Sequence, residues 1–320
     1  GGYAAKWLSQ MNESKGESGF SILETFDPVE LKHRIEDARA SLSPGSRTTH
    51  EFTLEAIASD LDKLYPYETA ATPRFKLARL IKNIEHAEAG TDLLAGQRGF
   101  VRMAYRSKLD NTLQPYVVWI PKDFDSSRKY PLLVYLHGSA SSESEIMGTK
   151  IIPEGFIAVG PRGRGPSNCY SWDNAQTDIA EAVESVRENF SIDERNVFLA
   201  GFSMGGYGVY RTYYEAPETY RAIAVFSGTP KMGGDARIVD FMRAENVKKF
   251  KGVPVFIFHG KRDLNVPYAD TERFVAKLER AGASVEFHAE ADKGHERPSD
   301  ETIQAFFAWV DATLHKEGTR

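Results

Sequence analysis

Residues 98–320 are predicted to form a mainly parallel α/β sheet with helices on both faces. Three observations carry this. Short apolar runs rich in Val, Ile, Phe and Tyr recur along this half, as strands buried on both faces require. Amphipathic stretches of helical length separate them, and strands alternating with helices build parallel sheets. Finally, the residues able to do chemistry cluster where the strands end, and ligands of open α/β sheets gather at strand carboxyl ends.

The elements follow in order. Phe100–Tyr105 and Gln114–Ile120 read as a β-pair turning at Asp110-Asn111. Tyr130–Leu136 is a buried strand ending in His137-Gly138-Ser139-Ala140, and Phe156–Gly160 is another. A helix is expected from Trp172 to Asn189, with Ile179, Val183 and Val186 on its inner face. Asn196–Ala200 reads as a strand running into Gly201-Phe202-Ser203-Met204-Gly205-Gly206, with a helix after it. Tyr220–Phe226, Val253–Phe258 and Ser284–His288 complete the strands. Residues 233–251 read as loop with some helix, while Tyr268–Ala281 and Ile303–Leu314 read as helices.

Residues 1–97 differ in character. A Gly-, Ser- and Glu-rich lead-in precedes three helical signatures, two of them opened by Asp27-Pro28 and Thr72-Pro73. Their apolar stripes read as packing faces, so the division falls into a helical region, 1–97, and a catalytic domain, 98–320. The helical region could mediate homodimerisation or cover one side of a pocket, and the sequence does not choose.

Composition bounds the function. A chain of 320 residues with 41% apolar content can bury a substantial core. Forty basic against 45 acidic residues, a net charge of -5, give no basic patch to recommend nucleic acid as a partner. The single cysteine, Cys169, excludes an internal disulfide and a cysteine-based metal cluster. No apolar run reaches the ~18 residues of a membrane span. The chain opens on Gly1-Gly2, leaving both a cytoplasmic location and export after leader removal open.

Gly201-Phe-Ser203-Met-Gly205 has the form of a nucleophile elbow. A serine at the tip of a strand–turn–helix exposes its hydroxyl, and flanking glycines let strand and helix approach. With 26 glycines the pattern alone arises by chance in about one such chain in ten, so its weight comes from its flanks and partners. A serine hydroxyl needs a base, and an imidazole base needs a carboxylate to orient it. Asp263 and His295 follow at later strand ends in the order serine, acid, histidine. The Met204 amide, at a helix N-terminus, and the Ser139 amide are the expected oxyanion donors, with Ala140 in reserve. His259 is expected to bond within the strand-end loop and His288 to be structural or at the surface. The loop Pro161–Trp172 should border the pocket, where Arg162, Arg164 and Trp172 are the candidate substrate contacts and Tyr170 a candidate stacking partner. Arginine–acid pairing and packing of Trp172 on the sheet are the rival reading of these residues.

Tyr135-Leu-His-Gly138, Gly201-Phe-Ser-Met-Gly-Gly206, His259-Gly-Lys-Arg-Asp263 and Gly294-His295 together resemble the α/β-hydrolase superfamily. Within it, the chain looks like bacterial carboxylesterases related to prolyl oligopeptidase catalytic domains and feruloyl esterases. The resemblance implies a serine hydrolase without metal or cofactor, acting on a small-molecule ester such as a feruloyl or acetyl-sugar ester. A prolyl oligopeptidase-like peptidase acting on short peptides is the alternative, and a non-catalytic binding protein on the same fold a distant one. The helical region shows no propeller repeats.

Overall fold

The computed structural model describes residues 96–234 and 236–316. The lead-in and the three helices expected before residue 97 lie outside the described residues. Among the described residues the strands are β1 (Gly99–Arg106), β2 (Leu113–Ile120), β3 (Tyr130–Leu136), β4 (Ile157–Pro161), β5 (Ile192–Phe202), β6 (Ala222–Phe226), β7 (Pro254–Gly260) and β8 (Ser284–Glu290). The helices are α1 (Ala175–Asn189), α2 (Met204–Glu215), the short α3 (Ala244–Val247), α4 (Tyr268–Arg280) and α5 (Asp300–His315). They form one eight-stranded sheet in the order β1-β2-β4-β3-β5-β6-β7-β8. β1–β2 and β2–β4 pair antiparallel, and every pair from β4 to β8 is parallel. The mainly parallel sheet expected from the sequence is present.

Register brings the working ends level. Leu136 pairs with Gly201, Phe202 with Phe226, Phe226 with Phe258, and Gly260 with Glu290. The loops after β3, β5, β7 and β8 therefore leave one edge of the sheet together. From β3 the chain goes to β4 on one side and then returns to β5 on the other. That reversal opens a crevice at the carboxyl ends of β3 and β5, where such sheets bind ligands.

Both faces are covered by aromatic packing. On one, Phe198, Phe226 and Phe256 meet Phe306 and Trp309 of α5. On the other, Tyr207 and Tyr210 of α2 pack against Phe241, Phe250 and Phe274. Phe306, Phe256, Tyr210 and Phe274 are wholly buried, each contributing roughly 2–3 kcal/mol of hydrophobic transfer.

The differences from expectation are local. α1 starts at Ala175 rather than Trp172, because Asp173 and Asn174 take left-handed backbone angles (φ 56° and 60°) that a right-handed helix cannot include. α5 starts three residues earlier than its apolar stripe suggests. Ser299 caps it, accepting from the Thr302 N–H, and Ser299 is itself held by the Glu290 carboxylate at 3.0 Å. β5 extends back through the charged Asp193-Glu194-Arg195 to Ile192. A 3₁₀ helix at Glu143–Gly148, which has no apolar periodicity, was not foreseeable.

Gly205 is the tightest packing point beside the sheet edge. A Cβ there would strike the Leu136 carbonyl at the end of β3, and one at Gly206 would come within 2.6 Å of the Gly228 Cα. Both obstacles are backbone and cannot swing aside. Gly205→Ala is expected to lower stability by about 3 kcal/mol, the upper end for overpacking, as read by urea unfolding. An unchanged midpoint would show that α2 can shift freely.

Candidate active site

Ser203 occupies the turn between β5 and α2 with φ 55° and ψ -116°, a conformation that non-glycine residues rarely adopt. The surroundings hold it there. Its N–H donates to the Phe226 carbonyl at 2.9 Å, and its carbonyl accepts from Gly206 and Tyr207 of α2. A Cβ at Gly201 would run into the Gly205 carbonyl, so only glycine permits the turn. This is backbone strain held in place by the surrounding structure.

His295 lies in the loop between β8 and α5. Its Nε2 is 2.8 Å from the Ser203 Oγ, and its Nδ1 is 2.7 Å from the Asp263 Oδ2. The Asp263 side chain is fully buried in the turn after β7, where its Oδ1 accepts from the Asn265 and Val266 N–H groups at 2.9 and 2.8 Å. A carboxylate can only accept, so Nδ1 of His295 donates to it. In the neutral imidazole, Nε2 then faces the serine hydroxyl with its lone pair. The three residues chosen from chain order are brought into one hydrogen-bonded line.

His259, near the end of β7, sits behind Asp263 and bonds into the loop that follows the strand. Its Nε2 donates to the Val266 carbonyl at 3.0 Å and lies 3.3 Å from Asp263 Oδ2, while its Nδ1 is 3.0 Å from the Thr271 hydroxyl. Burial lowers its pKa below the ordinary value, with the Val266 carbonyl and Asp263 opposing.

Three consecutive amides follow β3, and two are already committed. The Gly138 N–H donates to Glu145 Oε2 at 3.0 Å. The Ala140 N–H donates to the Pro166 carbonyl at 2.7 Å and to Ser167 Oγ at 2.9 Å. The Ser139 N–H between them has no acceptor among the described residues. Nor has the Met204 N–H at the start of α2. Ala140, the reserve donor, is therefore spent.

The expected substrate contacts fare differently from one another. Arg164 is only 9% exposed, with its guanidinium on Asp110 at 2.5 Å and Ser107 at 2.6 Å and with Asp178 nearby. That is a structural network joining the β1–β2 turn to α1. Arg162 lies 3.4 Å from the buried Glu143 and stays partly exposed. Trp172 is half-buried, with the Arg237 guanidinium 5.4 Å from its ring centre. Tyr170 corrects the expectation that it could stack on a substrate. It is wholly buried, its hydroxyl donates to the His137 carbonyl at 3.1 Å, and its ring fills the space beside Gly163 and Gly208. The sequence carries no signal for Glu145, Ser167 and Arg297, whose contacts come from the 3₁₀ helix after β3 and from two more remote loops and follow no period or motif.

A cleft of about 410 Å3 adjoins the histidine loop, walled by Tyr135, Lys150, Phe202, Phe226, Arg297 and Ile303. Ser203 and His295 are not among its walls. It therefore borders the reactive line without containing it. No group of three or more His, Cys, Asp or Glu among the described residues has the arrangement of a metal site.

The strained serine turn, the strand order and the serine–histidine–acid line drawn from the ends of β5, β8 and β7 decide the architecture. The fold is that of the α/β-hydrolases. Residues 226–317 match the model of the prolyl oligopeptidase family, the S9 peptidases. The chain is similar to a bifunctional acetylxylan esterase/xylanase of Neocallimastix patriciarum, 28% identical over 45% of this chain and 21% of the relative. It is also similar to a probable feruloyl esterase C of Aspergillus terreus, 31% identical over 38% of this chain and 48% of the relative. A dipeptidyl-peptidase 5 of Porphyromonas endodontalis is 24% identical over 69% of this chain and 39% of the relative. The chain thus spans less than half the length of these relatives. Among solved α/β-hydrolase structures, a ferulic acid esterase of Anaeromyces mucronatus superposes with a TM-score of 0.55 at 20% identity, over 68% of this chain and 92% of that one. No described helix is long and apolar enough to cross a membrane.

The buried His259 generates a test of the acid's support. Its folded-state pKa lies below the ordinary ~6.5, so on acidification the unfolded chain takes up a proton first. Its contribution is complete above about pH 6.5 and is lost as pH falls from there toward the depressed folded value. The melting-temperature difference between wild type and His259→Gln is expected to shrink over that window. A difference constant from pH 7.5 to pH 5 would contradict a neutral buried imidazole.

Proposed function

We propose that the protein is a serine carboxylesterase working through an acyl-enzyme on Ser203. The observation that carries this reading is the unbroken line from Ser203 Oγ through His295 to Asp263, at 2.8 and 2.7 Å, beside two uncommitted amides. Ser203 Oγ attacks the ester carbonyl carbon while its proton passes to His295 Nε2. The carbonyl oxygen becomes an oxyanion facing the Met204 and Ser139 N–H groups, whose orientation is fixed before the reaction. The tetrahedral adduct collapses, the carbon–oxygen bond to the alcohol breaks, and His295 returns the proton to the departing oxygen. Water then attacks the acyl-enzyme, giving its proton to Nε2. When the second adduct collapses, the serine oxygen recovers that proton and the acid leaves. Asp263 holds the imidazole in the required tautomer and stabilises its charged form throughout. Nothing in this sequence calls for a metal or organic cofactor.

Small or aromatic esters, feruloyl and acetyl-sugar esters among them, are the substrates this reading favours. The named activities of the acetylxylan esterase and feruloyl esterase relatives support it. Trp172 and Arg162 remain the side chains we assign to the substrate, because both keep exposed surface on the loop after β4. Arg164 is left out, its charge being used internally. The helical region of residues 1–97 is assigned as a separate unit ahead of the catalytic domain. A peptidase reading has its own support in the prolyl oligopeptidase match and in the dipeptidyl-peptidase relatives.

Ser203→Ala should fold normally and lose about 10⁶-fold in turnover of p-nitrophenyl acetate, together with labelling by a fluorophosphonate. Asp263→Asn should lose about 10⁴-fold, because the amide can present the wrong partner to Nδ1. Activity of Ser203→Ala comparable to wild type would sink the assignment. Faster release from peptide p-nitroanilides than from acyl esters would instead select the peptidase reading.

A further inference from the structure

The Ser139 amide is set by its neighbours. The peptide that carries this N–H also carries the Gly138 carbonyl, whose oxygen lies 2.8 Å from His137 Nδ1; the ring's Nε2 lies 2.8 Å from the Arg162 carbonyl. One residue earlier, the Gly138 N–H is tied to Glu145; one residue later, the Ala140 N–H is tied to Pro166 and Ser167. Glu145 is thus the side chain that fixes the upstream end of this loop. It approaches from the Glu143–Gly148 turn.

The same carboxylate is held from two further directions. The buried Tyr135 hydroxyl donates to Oε1 at 2.7 Å, and burial raises the pKa of that phenol, keeping it a donor. The Arg297 guanidinium lies 3.5 Å from Oε1. Arg297 stands two residues after His295, and its guanidinium is 5.8 Å from the Phe202 ring centre. Phe202 in turn lies 5.2 Å from the His295 ring. Glu145 therefore touches the end of β3, the oxyanion loop and the histidine loop at once, while only 12% exposed.

We propose that Glu145 is a positioning residue. It aims the Ser139 N–H at the developing oxyanion and, through Arg297, holds the oxyanion loop and the histidine loop at a fixed separation. This rests on the reading of Ser139 as an oxyanion donor and adds the residues that set it. Glu145 touches no reacting atom. Its effect should fall on the tetrahedral species rather than on the bound ester, because a misdirected donor loses most where charge develops.

Glutamine has the size of glutamate but replaces one acceptor oxygen with an NH₂ group, so it cannot accept from both Gly138 and Tyr135. Glu145→Gln is expected to lower kcat for p-nitrophenyl acetate by about 10–100-fold, less than the loss of a whole oxyanion donor, with KM within about threefold. Phenylboronic acid forms a tetrahedral adduct on an active-site serine, and its inhibition constant should rise by the same factor as kcat/KM falls. Arg297→Met, at a partly exposed side chain, keeps the question answerable if Glu145→Gln does not fold. It should show the same parallel loss, about 3–10-fold. The proposal is overturned if whichever of these variants folds keeps kcat and boronate affinity within twofold of wild type. It is equally overturned if the loss appears in KM with boronate binding unchanged. Ser203→Ala separates the two levels of argument. If it is inactive while the other variants behave as wild type, only the role of Glu145 fails. If it stays active, the reading of the site fails and the role of Glu145 falls with it.

Discussion

The close approach of the start of α2 to the end of β3 is the contact on which the rest of the site depends. The Leu136 carbonyl rests against Gly205 at a separation no Cβ would permit. That contact places the loop after β3 beside the turn after β5. It also puts Ser203 into backbone angles that glycine-free flanks could not reach. The ladder bonds of β5 and the turn bonds of α2 hold the strained residue from both sides. The strain is sustained because the sheet on one side and the aromatic packing of α2 on the other leave the turn no room to relax.

Around this contact the polar groups are arranged by elimination. Most amides near the serine are already bonded: Ser203 to Phe226, Gly138 to Glu145, Ala140 to the loop after β4. The Met204 and Ser139 N–H groups are left without acceptors among the described residues, at the mouth of the crevice between β3 and β5. An uncommitted N–H in a dense hydrogen-bonded setting has a fixed direction and little to reorganise, which is what stabilising a transient oxyanion requires. The acid is supported in the same way, with two backbone donors on Asp263 Oδ1 and two imidazoles near Oδ2.

Much of this was legible in the chain, and for identifiable reasons. Strands buried on both faces write themselves as apolar runs, so β3, β6 and β7 could be found to within a few residues. The elbow was legible because its sterics demand glycine at fixed offsets from Ser203. Asp263 and His295 were legible because a parallel sheet delivers strand ends to one edge. The misses have equally plain causes. Asp173 and Asn174 take left-handed angles that their residue types tolerate but do not require, so the sequence pattern does not mark the start of α1. Tyr170 looked like an exposed ring on a loop, yet it is buried beneath that loop by contacts with Gly163, Gly208 and the His137 carbonyl.

The sequence by itself determined the alternation of strands and helices, the turn that carries Ser203, and the order in which Asp263 and His295 follow it. These depend on local patterning and on sterics within a few residues. Only the tertiary structure decided which amides after β3 stay uncommitted, that Arg164 is bonded to Asp110 and Ser107, and that Glu145 meets Arg297 from a separate loop. Each of those outcomes depends on which polar group finds its partner first in space. Groups from separate loops compete for the same few donors and acceptors, and that competition is settled by packing rather than by spacing along the chain.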